Sequence, residues 1–98
     1  MAKKFIRGTI EIESSVTDLE AFENYHGAAI NGIVQWADSN QIYLKFGTSE
    51  DNAYLCEFVI RADTAKMCKG YLKVLVEKLK GINKKARVIF QAEGTVLW

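Results

Sequence analysis

The side chains here that could do chemistry are one histidine, two cysteines, two close carboxylate pairs and a run of lysines. His26 is the only imidazole. It falls among the apolar phases of a helical stretch, beside Phe22 and Ile30, where packing is a commoner role than proton transfer. Cys56 and Cys68 stand twelve apart, which is neither a disulfide framework nor a metal pattern, and reads as two reduced core thiols. Glu11/Glu13 on a strand and Glu50/Asp51 in a turn do not make an acid/base pair. The phosphate-loop, dinucleotide, zinc-protease and nucleophile-elbow motifs are all absent. The expectation is therefore a protein that is not an enzyme, with no catalytic residue, no metal and no cofactor.

The lysines carry the strongest charge signal. Residues 64–87 hold seven lysines and one arginine against one glutamate. Residues 1–60 have four bases and nine acids, a net −5, whereas residues 61–98 have nine bases and three acids, a net +6. The whole chain carries only +1, so the asymmetry implies a basic face rather than a generally basic protein. At helical spacing Lys66, Lys69, Lys73 and Lys80 share a sector opposite Met67, Tyr71 and Leu75, with Glu77 four residues after Lys73. Lys78, Lys80, Lys84 and Lys85 gather where cations complement a helix C-terminus. Amphipathicity and the helix dipole thus account for most of this charge as a solvated face, with a binding stripe as the competing reading.

These side chains need elements to hold them. At 98 residues, 49% apolar and 26% charged, the chain suits one soluble domain over residues 1–98. No apolar stretch reaches the ~18 residues a membrane helix needs. Met1-Ala2-Lys3-Lys4 leads into an alternating segment rather than a signal core, so a cytoplasmic protein is expected. "KFIRGTIEIE" alternates as a half-buried strand, in which Gly8 either weakens the pairing or lets something pack close. A helix is expected from about residue 16 to 37, capped by Ser15 with Asp18 or Thr17 with Glu20. Gly27 and Gly32 each cost it roughly 1 kcal/mol; the rival reading breaks the helix at Gly27 and makes residues 32–37 a strand. "QIYLKFG" and "AYLCEFVIRA" form a hairpin with Ile42, Leu44, Phe46, Cys56, Phe58 and Ile60 inward. A second helix, capped by Asp63 or Thr64, carries Met67, Cys68, Tyr71, Leu72, Leu75, Leu79 and Ile82 on one apolar face and ends at Gly81 or Asn83. "ARVIFQA" is the last strand, with Val88 and Phe90 inward; a turn or bulge at Glu93-Gly94 and "TVLW" follow.

The order is β-α-β-β-α-β. It implies a ferredoxin-like α/β sandwich, a four-stranded antiparallel sheet with two helices on one face. Small acylphosphatases share this length and order, but their GxVxGVxFR motif is missing, so that activity is not carried over. Strand parity then gives the bare face: Phe5, Arg7, Thr9 and Glu11; Tyr43 and Lys45; Leu55, Glu57, Val59 and Arg61; Arg87, Ile89 and Gln91.

Two uses of that face follow. Phe5, Tyr43, Leu55, Val59 and Ile89, with Val96 and Trp98 of the C-terminal segment, make an interface for a protein partner or for a second copy in a homodimer. Such a protein would be a small regulator, with inhibition of a larger machinery as one form of that role. The alternative is single-stranded nucleic acid, held by Arg7, Lys45, Arg61 and Arg87 with help from Lys66, Lys69 and Lys73. Cations beside Phe5 and Tyr43 resemble an RNA-recognition sheet, although "AYLCEFVI" lacks that family's basic-Gly-aromatic opening and places Leu55 and Glu57 on the face.

Overall fold

The computed structural model describes residues 2–97; Trp98 lies outside them. The elements run β1 (Ala2–Glu13), α1 (Leu19–Tyr25), α2 (Gly27–Ser39), β2 (Tyr43–Thr48), β3 (Tyr54–Ala62), α3 (Ala65–Lys80) and β4 (Arg87–Leu97). The strands form one antiparallel sheet in the order β2-β3-β1-β4. No helix among the described residues is long and apolar enough to cross a membrane.

Period-two alternation builds the covered face. Ile6, Ile10 and Ile12 of β1 and Cys56, Phe58 and Ile60 of β3 are almost fully buried. Cys68, Leu72, Leu75 and Leu79 of α3 meet them, one residue per turn along a single stripe, whereas Met67, expected on the same face, is 45% exposed, and Tyr71 and Ile82 are only half-buried at its margin. α3 packs across β1 and β3, and α2 lies along β2 and against α3 through Ile33 and Ala37. At its start α3 is capped by the Thr64 hydroxyl, which accepts from Met67 N–H, and it closes at Gly81.

The helical layer differs from expectation. The first helix begins at Leu19, three residues later than expected, because the Asp18 carboxylate, rather than Ser15 or Thr17, accepts from Ala21 N–H. It then divides at His26 into α1 and α2. Residues 28–37 are helical, which removes the extended alternative. The two halves are anchored differently. Phe22 of α1 packs on Tyr54 at 4.7 Å, and the Tyr54 hydroxyl donates to Glu23 at 2.7 Å. α2 instead sinks Ile33 and Ala37 into the core. Gly27, directly after the break, offers no side chain to hold a straight helix together.

Two bulges change strand parity. In β1 the register with β3 shifts between Glu11 and Glu13, leaving Ile12 as the extra residue. In β4, Val88 pairs with Ile10 and Phe90 with Thr9, leaving Ile89 as the extra residue. Phe90, expected inward, therefore shares a face with Thr9, while Gln91 pairs with Gly8 on the face expected for Phe90. Nor is there a turn at Glu93-Gly94. β4 continues to Leu97 and pairs Gly94, Thr95, Val96 and Leu97 with Phe5, Lys4, Lys3 and Ala2, so the described part of the terminal segment docks on its own sheet.

Candidate interaction face

The sheet face turned away from α3 assembles row by row from the strand pairings. Tyr43, Val59, Arg7 and Ala92 form one row; Lys45, Glu57, Thr9 and Phe90 form the next; Gly47, Leu55, Glu11 and Arg87 form a third. Phe5, flanked by Arg61 and Gly94, begins the other end. Tyr43, at the start of edge strand β2, is 58% exposed, and Phe90 and Ile89 of the other edge strand are 48% and 47% exposed. Leu55, Val59, Phe5 and Val96 are half-buried between them.

The charges on this face are of both signs and largely matched. Arg87 pairs with Glu11 at 3.6 Å, and Lys3 donates to Asp63 at 3.1 Å. Lys45 stands opposite Glu57. The Arg7 guanidinium lies over the Phe90 ring, 5.6 Å from its centre. A shallow hollow of about 490 Å³ is lined by Lys3, Gln41, Tyr43, Val59 and Arg61, and another joins Arg7, Tyr43, Val59 and Phe90.

Two glycines show how the face is shaped. A Cβ on Gly8 would fall 2.0 Å from the Phe90 carbonyl oxygen, so the bulged strand closes on β1 only because residue 8 has no side chain. A Cβ on Gly94 would fall 2.6 Å from the Phe5 ring, which lies across that bare backbone and is half-buried by it.

The expected residues thus divide. Phe5, Tyr43, Leu55, Val59 and Val96 come together on this face, as do Arg7, Lys45, Arg61 and Arg87, while Ile89 is the exposed, unpaired residue of the bulge beside Phe90. Lys66, Lys69 and Lys73 do not join them: they lie on α3 on the other side of the sheet, and Lys69 pairs there with Glu93 at 3.9 Å. Phe90, Ala92 and Lys3 belong to the face and were missed. No local signal marked Phe90: the run Val88-Ile89-Phe90 is apolar throughout, but so is Phe58-Val59-Ile60 of β3, which pairs without a bulge.

The other reactive types are held quietly. His26 packs on Phe22 at 4.6 Å and on Tyr25 at 4.8 Å. Cys56 and Cys68 are buried free thiols; burial pushes Cys56 up to about 12 and raises Cys68 as well. The Cys68 thiol donates to the Lys4 and Ile60 carbonyls. Among the described residues, no group of three or more potential metal ligands occurs.

No protein family matches the chain, and no curated protein sequence matches it. Several solved structures are similar in outline, among them two de novo designed proteins. One is the de novo designed protein Foldit4, at 11% identity and TM-score 0.44, covering 99% of this chain and 97% of that one. The other is the de novo designed protein LFR1 1, described as having a ferredoxin fold, at 13% identity and TM-score 0.46, covering 99% and 85%.

Proposed function

We propose that this protein is a small non-enzymatic binding protein that uses the sheet face opposite α3, in a ferredoxin-like sandwich whose helices leave that face free. Its ligand is a protein surface, either a partner's or that of a second copy. The observation that carries this reading is the exposure of Tyr43 and Phe90 on a face that also displays Val59 and Leu55, with Ile89 exposed at the bulge beside Phe90. Exposed rings and aliphatics rimmed by paired charges are the usual make-up of an interface centre. Alternating signs such as Lys45 and Glu57, or Arg87 and Glu11, also suit a polypeptide better than a polyanion. β4 adds an edge whose outer backbone groups have no neighbouring strand, so it can extend the contact by pairing. The action expected is regulatory, in the cytoplasm.

The test is light scattering after size exclusion, with a lysate pull-down beside it. Val59→Glu is expected to turn a dimer into a monomer, or to release the bound partner, while circular dichroism stays unchanged. A wild-type chain that is monomeric at high concentration and retains nothing from the lysate overturns the reading.

One observation favours single-stranded nucleic acid as a second reading: Arg7 stacked on Phe90 provides a ring and a cation side by side, near Tyr43 and Arg61. On that reading, affinity for an oligonucleotide falls by orders of magnitude as salt rises, and Arg7→Ala with Arg61→Ala abolishes it. Absence of retention at low salt removes it.

A further inference from the structure

α3 carries a second apolar surface, on its flank rather than on the sheet. At about 100° per residue Met67, Tyr71, Val74 and Lys78 fall in one narrow sector, beside the buried stripe of Cys68, Leu72, Leu75 and Leu79. α2 already occupies the upper end of this flank: Lys78 lies over the Trp36 ring at 5.3 Å, and the two helices pack together. α2 ends at Ser39 and the chain turns into β2. Nearer the start of α3, Met67 and Val74 are left 45% and 42% exposed around a shallow, wide-open apolar depression lined by Met67, Gly70, Tyr71 and Val74.

Gly70, like Gly32 inside α2, has no neighbour that a side chain would strike. Glycine inside a helix lowers stability relative to alanine, and a Cβ at this position would meet nothing within 4 Å. Nothing inside the fold needs this glycine. It forms the floor of the depression, and a floor without a side chain lets another backbone come close. Charge specifies the visitor. Lys66 and Lys73 border Gly70, the positive end of the α3 dipole lies at the same end, and Glu77 is the one acid in the helix.

We infer that the Met67–Val74 flank of α3 is a docking groove for an amphipathic helix of a partner protein, with apolar side chains over Gly70 and acidic ones against Lys66 and Lys73. The occupant continues the packing that α2 begins, since a helix already fits the same flank one turn farther along. This is the helix-in-groove mode of recognition, and it is independent of the sheet face on the other side of the molecule.

The test uses the full chain and two synthetic amphipathic helical peptides with the same leucine face, one edged with glutamate and the other with lysine. Binding is read by calorimetry and by amide shifts in nuclear magnetic resonance. The glutamate peptide is expected to bind and to shift residues 66–74, and the lysine peptide is not. Gly70→Leu keeps the circular dichroism spectrum, does not lower the thermal midpoint, and weakens the glutamate peptide by about tenfold or more. Lys66→Glu with Lys73→Glu reverses the preference between peptides. Equal affinity for both peptides, shifts at Tyr43 and Val59 instead, or full affinity in Gly70→Leu each overturns the inference. So does broadening of α3 signals with protein concentration alone, which would make a second copy the occupant.

Discussion

In β3, Cys56, Phe58 and Ile60 are buried under the helices, while Leu55, Glu57, Val59 and Arg61, their direct neighbours, stand on the other side of the sheet. One strand thus supplies both regions, and the two are built to different rules. The covered face is wholly apolar at its centre; no polar or charged residue is buried in the described chain. The other face mixes rings, aliphatics and matched charges, and its residues are held by in-plane neighbours rather than from above. The contrast teaches that strand alternation alone can separate a packed face from an exposed one: one set of side chains supports the fold from within, and the other is held mainly by its in-plane neighbours.

The sharpest break of that comparison sets Phe58 against Val59. Phe58→Ala is expected to cost about 3–5 kcal/mol, because the ring is almost fully buried and leaves a cavity, whereas Val59→Ala is expected to cost under about 1 kcal/mol. Chemical denaturation of both variants measures it; equal losses would mean that the second face is as structural as the first.

Gly8→Ala comes next. Its Cβ meets a backbone oxygen at 2.0 Å, and the bulged strand must move, so a loss of about 3 kcal/mol is expected. Gly47→Ala, with nothing within 4 Å, is expected to be neutral or stabilising by about 0.5 kcal/mol. Thermal unfolding of the pair shows whether closeness of β4 to β1, rather than glycine in a strand as such, sets the cost.

Alkaline pH probes the covered region. Cys56 rises from an ordinary 9.0 to about 12 through burial, and the Tyr54 hydroxyl rises from 10.0 through burial and its bond to Glu23. Both groups hold their protons more tightly when folded. Their contribution is therefore complete below the unfolded values and is lost as pH climbs toward the folded ones. Unfolding free energy is expected to fall above about pH 9, by about 1.4 kcal/mol per pH unit for each titrating group. Urea melts across that range check the slope, and Cys56→Ala is expected to make it shallower.

The smallest effect lies on the open face. Arg7→Ala removes the guanidinium from the Phe90 ring and is expected to cost about 0.5–1 kcal/mol. A much larger loss in denaturant melts would assign Arg7 to the support of the fold rather than to the contact surface.

Much of this molecule is local and was therefore legible in the chain. Alternation marks β1, the hairpin of β2 and β3, and their inward residues; helical period marks α3, and Thr64 announces its start. Those signals are local because a period of two or 3.6 residues needs only near neighbours. The same holds for the candidate face, most of which follows from strand parity. Tertiary structure decided the rest. Nothing near residue 90 says which way Phe90 points; that depends on Gly8, about eighty positions earlier, leaving room for the Phe90 carbonyl oxygen where a Cβ would clash. The break at His26 likewise depends on Tyr54 and Glu23, which tie α1 to the sheet while α2 is drawn into the core. The lysines of α3 and the cations of the open face look like one basic set along the chain, yet the sheet stands between them. Register, bulges and sidedness are set by which distant strands meet, and that information resides in long-range packing rather than in any window of sequence.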